Sequence, residues 1–252
     1  MTRRDVIKSG AGIAAILAAG RAPAALVKSM LGARMLFASG KWKNPYVTDG
    51  LVAMWDGEWN AGPGKHDAHA TTWKNLVTGD DDITLNNLTF DVNSLVGVMS
   101  TASYGTVPST FDSVETIEVC FKKNAVDSST KYPWCAFLTR GKGFASTQYF
   151  GNIRVTFLSY SGWTNMPGVT DMSSDIRHYT LVGNPSAEYS FYKNGALQAN
   201  ATVYGYLYNA RANSVCYNMA GNIYNIRLYS RALTAAEVAA NYAIDQRRFN
   251  IS

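Results

Sequence analysis

The sequence predicts an all-β chain: an antiparallel two-sheet sandwich with a short C-terminal helix, preceded by an N-terminal helical leader. Three observations predict it. From Pro45 onward apolar residues recur at period two, Gly, Asn, Asp and Pro punctuate them at short intervals, and the clearest helical pattern of that region closes the chain. About a dozen short strands separated by turns build a sandwich more readily than a parallel sheet, which needs a long crossover between strands.

Composition agrees. The chain has 252 residues, of which 47% are hydrophobic, 12% aromatic and 16% charged, enough for a large core and too apolar for a disordered chain. Its 21 glycines follow no period and its three cysteines are too few for a disulfide scaffold. The net charge of +5 is unevenly placed. Residues 1–41 hold seven basic side chains against Asp5 alone, and the other 211 residues hold 16 basic and 17 acidic ones. A domain of net −1 lacks the basic excess that phosphate neutralisation needs, so nucleic acid is excluded as its partner.

The basic end begins Thr2-Arg3-Arg4-Asp5-Val6-Ile7-Lys8. A weakly apolar stretch from Ser9 to Gly20 follows, then Ala22-Pro23-Ala24, small residues of the kind a signal peptidase reads. About twelve residues are too short to span a hydrocarbon layer of roughly 30 Å as a helix. Arg3, Arg4 and Lys8 resemble the pattern of a twin-arginine leader, which implies export of a folded protein across a bacterial inner membrane. The expected organisation is a signal peptide at 1–24, a linker or retained helix at 25–44, and one domain at 45–252. The alternative is that residues 1–41 stay as a basic arm whose incomplete apolar stripe, Leu26, Met30 and Phe37, docks on a membrane surface or an assembly.

The strands can be read in turn. Candidates lie at 51–56, 83–91, 95–99, 103–107, 133–138, 178–184, 197–203 and 214–217. Ile117, Val119 and Phe121 alternate with Glu118, Cys120 and Lys122, the mark of a half-buried strand, as do Ile153, Val155 and Phe157 with their neighbours. Tyr189 and Phe191 run into Asn194-Gly195, a strong hairpin signal because both residues accept positive φ. Tyr224, Ile226 and Leu228 alternate with Asn225 and Arg227. The closing helix starts at a capping box, Thr234 with Glu237, and a staple, Leu233 with Val238. Val238, Tyr242, Asp245 and Phe249 share a face, and Arg247 and Arg248 sit where the helix dipole favours cations.

The segment Gly221-Asn222-Ile223-Tyr224-Asn225-Ile226-Arg227-Leu228-Tyr229-Ser230-Arg231-Ala232-Leu233-Thr234, with the helix after it, resembles the closing motif of concanavalin A-like, LamG-type jelly rolls. Asp49 to Asp56 is similar to the first strand of that family, Thr72-Trp73-Lys74-Asn75-Leu76 to the stretch after it, and Tyr192-Lys193-Asn194-Gly195 to its hairpin. The resemblance covers residues 49–249 and implies two curved sheets packed face to face.

Chemistry is harder to find. Enzymes of this superfamily that cut polysaccharides carry carboxylates at alternating strand positions, which places an acid and a nucleophile on one face. Here Asp112, Glu115 and Glu118 are spaced by three, which alternates faces, so no catalytic pair is assigned and the chain is expected not to be an enzyme. His66 and His69 lie in a polar loop without a closing ligand, and His178 has no nucleophile motif to partner it. Calcium takes oxygen ligands from loops, and Asp56, Asp67, Asp80 and Asp82 are its candidates. Tyr224 and Asn225 stand where many relatives have an acid, which weakens that expectation; no other cofactor is called for. Trp59, Trp134, Tyr160, Trp163 and Tyr204, in or beside loops, are the candidates for stacking on sugar rings. Cysteine pairing is open among Cys120, Cys135 and Cys216.

The expected function is an exported, periplasmic, cell-surface or secreted non-catalytic module that binds a glycan or a surface protein. The alternative is a structural phage- or prophage-type or appendage protein, virion-associated, with residues 1–41 kept as an assembly arm. A glycoside hydrolase comes third, for want of the carboxylate pattern.

Overall fold

Alternating sequence becomes two antiparallel sheets in the computed structural model. It describes residues 44–111, 114–124, 134–139, 142–146, 154–157, 163–165, 175–183, 188–202 and 213–252. The chain divides into two compact units, Met1–Asn44 and Pro45–Ser252, and apart from Asn44 the described residues belong to the second. The expected leader, with Arg3, Arg4 and Lys8, lies outside them.

The strands are β1 (Leu51–Asp56), β2 (Thr72–Trp73), β3 (Ile83–Asn86), β4 (Thr89–Phe90), β5 (Leu95–Gly97), β6 (Tyr104–Thr106), β7 (Thr116–Lys123) and β8 (Trp134–Thr139). There follow β9 (Lys142–Ser146), β10 (Arg154–Phe157), β11 (Trp163–Asn165), β12 (Arg177–Gly183), β13 (Glu188–Lys193), β14 (Ala196–Thr202), β15 (Ser214–Tyr217) and β16 (Gly221–Tyr229), then helix α1 (Ala235–Phe249). One sheet runs β14-β13-β12-β7-β16-β5-β4. Strand β16, nine residues long, pairs with β7 along one side and with β1 and β5 in turn along the other. The second sheet runs β11-β10-β9-β8-β15-β6-β3-β2. Most of the expected strands are found. The stretch 83–91 is cut into β3 and β4 by Asn87, whose φ of 51° turns the chain; β2, β9 and β11 were not foreseen.

The core lies between the sheets. Ile117, Val119, Phe121, Leu181, Ile226 and Leu228 of the first sheet meet Trp73, Ile83, Phe137 and Val215 of the second, with Trp55 edge-on to Phe111 at 5.5 Å. Two departures from the alternation follow from local causes. The β16 register slips between Ile223 and Asn225, so Tyr224 falls out of phase with Ile226 and Leu228 and packs on Phe249 of α1 at 5.1 Å. The outer face of β7 is also buried, because α1 lies over it: Glu118 and Cys120 are both 0% exposed.

Helix α1 starts as its sequence predicts. Both hydrogen bonds of the Thr234–Glu237 capping box are present, and Leu233 and Val238 pack together. It ends at Asn250, which takes the left-handed conformation and returns its N–H to the Gln246 carbonyl. Its buried stripe is Val238, Asn241, Asp245 and Phe249, with Asn241 where Tyr242 was expected. The Asn194-Gly195 turn has φ of 51° and 74°, as a tight hairpin between β13 and β14 demands. No helix among the described residues is long and apolar enough to cross a membrane.

Candidate functional site

The stripe on α1 is apolar only at its ends. Val238 joins Tyr229, Leu233, Val182 and Tyr192 at one end, and Phe249 joins Cys120, Tyr224 and Ile251 at the other. Between them Asn241 and Asp245 meet the outer face of the first sheet, where β7, β12 and β16 present Glu118, His178, Thr180, Asn225 and Arg227, every one 0% exposed.

Arg227 is the centre. Its Nε donates to Glu118 Oε2 at 2.7 Å, its NH1 to Asp245 Oδ1 at 3.2 Å and its NH2 to Asp245 Oδ2 at 2.7 Å. That planar fork is the geometry a guanidinium offers a carboxylate. Asn241 donates to Glu118 Oε2 at 2.8 Å and to the Tyr229 hydroxyl at 2.9 Å. His178 stacks on Tyr242 with ring centroids 5.9 Å apart, and its Nε2 lies 3.2 Å from Arg227 NH2 and 3.5 Å from Glu118 Oε1. Burial is the largest single influence and pushes Glu118 and Asp245 upward, but the Arg227 charge, His178 and the hydrogen bonds each carboxylate accepts together outweigh it and hold both carboxyls below their ordinary values.

Residues before β1 complete the group. The Tyr46 hydroxyl donates to Asp245 Oδ1 at 2.5 Å, and the Arg227 guanidinium lies 3.9 Å over its ring. Arg248 donates to Asp56 Oδ2 at 2.6 Å, Asp56 Oδ1 at 3.0 Å, Glu58 Oε2 at 2.9 Å and the Tyr46 hydroxyl at 2.7 Å. Glu118, His178, Arg227 and Asp245 at its centre are 0% exposed, Arg248 and Glu58 at its margin are 9% and 20% exposed, and every carboxylate is answered by an arginine; the cluster holds α1 in one position on the sheet.

That arrangement revises several expected roles. Trp59 is no open platform: it is 4% exposed and Arg248 lies 4.5 Å over its ring. Asp56 is buried, with both carboxylate oxygens on Arg248. Asp67 closes a turn with the His69 N–H, and Asp82 binds Lys74 and the Asn75 N–H. Asp80 is exposed, and its backbone bonds with Thr78 shape the turn. The four aspartates thus serve separate local contacts, and among the described residues no three His, Cys, Asp or Glu side chains gather as a metal site. Tyr160 and Tyr204 lie outside the described residues. Trp134 and Trp163 open β8 and β11; Trp163 aligns through Thr156 with Gly143 of β9, and Trp134 aligns with Ser146 of the same strand.

Glu118 is under the helix, while Glu115 accepts from the Ala232 N–H at 3.0 Å near the start of β7. Asp112 lies outside the described residues. Sequence reasoning missed the roles of Tyr46, His178, Arg227 and Glu118. One signal was present: Asp245 stands on an otherwise apolar helical stripe, and a buried acid needs a cation. All three cysteines are free and buried; burial pushes Cys216 up to about 12 and Cys120 and Cys135 upward too, which leaves them inert thiols.

The surface beside this anchor is the loop 57–70. Asn60 clamps it, donating to the Asp67 carbonyl at 2.6 Å and accepting the Asp67 N–H at 2.9 Å. Lys65, His66, Asp67 and His69 are thereby presented to solvent from a fixed base, a set of donors and acceptors suited to a polar ligand.

No protein-family model matches the chain, and no curated protein sequence matches it. Solved structures do. The sialidase of Trypanosoma rangeli in complex with 2,3-difluorosialic acid matches with a TM-score of 0.53 at 14% identity, over 88% of this chain and 38% of that one. The same sialidase in complex with sialic acid matches with a TM-score of 0.52 at 13% identity, over 88% and 38%. The binding domain of botulinum neurotoxin serotype D matches with a TM-score of 0.50 at 10% identity, over 77% and 52%. The chain therefore spans less than half the length of the sialidase. At these identities the likeness is one of fold, a β-sandwich shared with a glycan-active protein and a toxin binding domain. It also corrects one expectation. The missing carboxylate pattern led to the chain being read as no enzyme, and the sialidase matches overturn that reading: this fold occurs in chains that are enzymes.

Proposed function

We propose that residues 45–252 form a carbohydrate-binding sandwich of the concanavalin A-like, LamG type, exported behind the leader at 1–24. The observation that carries this reading is the fold it shares with a sialidase solved with sialic acid. Sugar recognition needs flat apolar faces and fixed polar groups. The candidate faces are Trp134, Tyr160, Trp163 and Tyr204, and the loop with Lys65, His66 and His69 supplies polar groups on a rigid base.

A glycan array probed with the full chain tests the binding. Retention of at least one sugar class is expected, with Trp134→Ala or Trp163→Ala weakening it by about tenfold, the value of about 1.4 kcal/mol of stacking. An array that retains nothing, or binding indifferent to all of the aromatic substitutions and to His66→Ala, would overturn the proposal. Export is tested separately by the N-terminal residue of protein recovered from an extracytoplasmic fraction: cleavage after Ala24 is expected, and a chain still starting at Met1 or Thr2 rejects it.

A further inference from the structure

The residues just before β1 make no ladder bonds of their own, yet they reach the middle of the α1 stripe. Tyr46 is 4% exposed. Its hydroxyl donates to Asp245 and accepts from Asn225 Nδ2 at 3.2 Å and from Arg248. Its ring is covered by Arg227 at 3.9 Å. The next residue continues the attachment: the Val47 N–H donates to Asn241 Oδ1 at 3.0 Å, and its side chain packs on the cluster of Leu233 and Val238. Of the four buried residues of α1, then, Asn241 and Asp245 are engaged directly by positions 46 and 47, and Val238 belongs to the apolar group that Val47 joins. The sheet beneath is built differently. Strands β7, β12 and β16 hold one another through antiparallel ladders in which residues 45–47 take no part.

We infer that residues 45–47 are a strap across α1, coupling the point where the chain enters the domain to the docking of its C-terminal helix, 199 residues away at the Tyr46–Asp245 bond. Anything that draws Tyr46 out, whether a cut between Pro45 and Thr48 or a partner that binds this segment, loosens α1 while the sandwich stays closed. The physical reason is the imbalance of the helix interface. Its apolar anchors are at the two ends, and its centre is ionic, so the centre holds only while each charge keeps its partners. Removing the tyrosine ring uncovers Arg227 and takes a hydrogen-bond partner from Asp245, Asn225 and Arg248 together.

Hydrogen exchange on the full chain separates a strap from an ordinary core residue. In Tyr46→Ala, amides of α1 from Val238 to Phe249 are expected to exchange at least about tenfold faster, while those of β7 and β12 keep their protection. Tyr46→Phe keeps the ring over Arg227 and loses only the hydroxyl, so a smaller acceleration of about fivefold confined to α1 is expected. A core substitution in the opposite sheet, Val215→Ala, serves as the control and should not single out the helix. Unchanged exchange in both Tyr46 variants would overturn the inference. So would acceleration of equal size in α1, β7 and β12, which would make Tyr46 a general core residue.

Discussion

Gly97 shows what a single missing carbon permits. It stands at the end of β5 opposite Gly221, where the first sheet comes against β15 of the second. A Cβ built on it would lie 2.3 Å from Cys216 Sγ and 2.3 Å from the Met219 carbonyl oxygen, far inside van der Waals contact. Cys216 itself has φ of 56°, a left-handed conformation unusual for a residue that is neither Gly, Asn nor Asp, and 0% exposure. The thiol thus fills the space the glycine leaves. Gly97→Ala must push the carbonyl or the sulfur aside, at a cost of about 1–3 kcal/mol. Thermal melting should show a fall of several degrees; an unchanged midpoint would mean that the two sheets can separate here without penalty. At this scale the sequence was least legible. Gly97 and Cys216 are 119 positions apart, and nothing in either local pattern announces that they meet.

Elements were far more legible where their signals are local. The β13–β14 turn follows from Asn194-Gly195, and the start of α1 follows from Leu233, Thr234, Glu237 and Val238. The structure adds that Glu237 also accepts from Arg231 NH2 at 2.6 Å and NH1 at 3.0 Å. Those bonds, with the one from the Thr234 N–H, lower its carboxyl from 4.5 to about 2. The sign follows directly: a carboxylate held below its unfolded value adds stability above pH 4.5, and that contribution is lost as pH falls toward 2. Urea midpoints from pH 6 to pH 2 should therefore fall less in Glu237→Gln than in the parent. Thr234→Ala should lose about 1 kcal/mol at neutral pH, since the Glu237 N–H loses its acceptor. Parallel acid limbs in Glu237→Gln and the parent would reject the linkage. Irregular elements were illegible for a related reason: the β16 bulge depends on pairing with β7, whose Cys120 faces Asn225 after the slip, and no run of residues within β16 encodes its partner.

Across the whole molecule, the two-sheet architecture was readable because period-two hydrophobicity is set residue by residue, whereas the helix-sheet interface was not, because its polar side chains come from five places in the chain. Tyr46, Glu118, His178, Arg227 and Asp245 each look like solvated residues or isolated oddities in sequence; only the fold makes one buried group of them. The consequence is global. Above pH 5 both Glu118 and Asp245 are ionised and Arg227 is fully answered. Their folded values lie below the ordinary 4.5 and 3.8, so their contribution is complete above those values and disappears as pH falls through the lowered ones. Stability against urea should hold level down to about pH 5 and drop steeply below about pH 4, as protons remove the charges that Arg227 requires. Arg227→Met leaves two carboxylates buried without a cation and should cost about 3–5 kcal/mol at pH 7. Combining Arg227→Met with Glu118→Gln and Asp245→Asn removes every one of those charges, and it should recover much of the loss and flatten the acid limb. If the triple variant is no more stable than Arg227→Met and keeps the parent's steep acid limb, acid acts elsewhere in the sandwich and the cluster is not what ties α1 to the sheet.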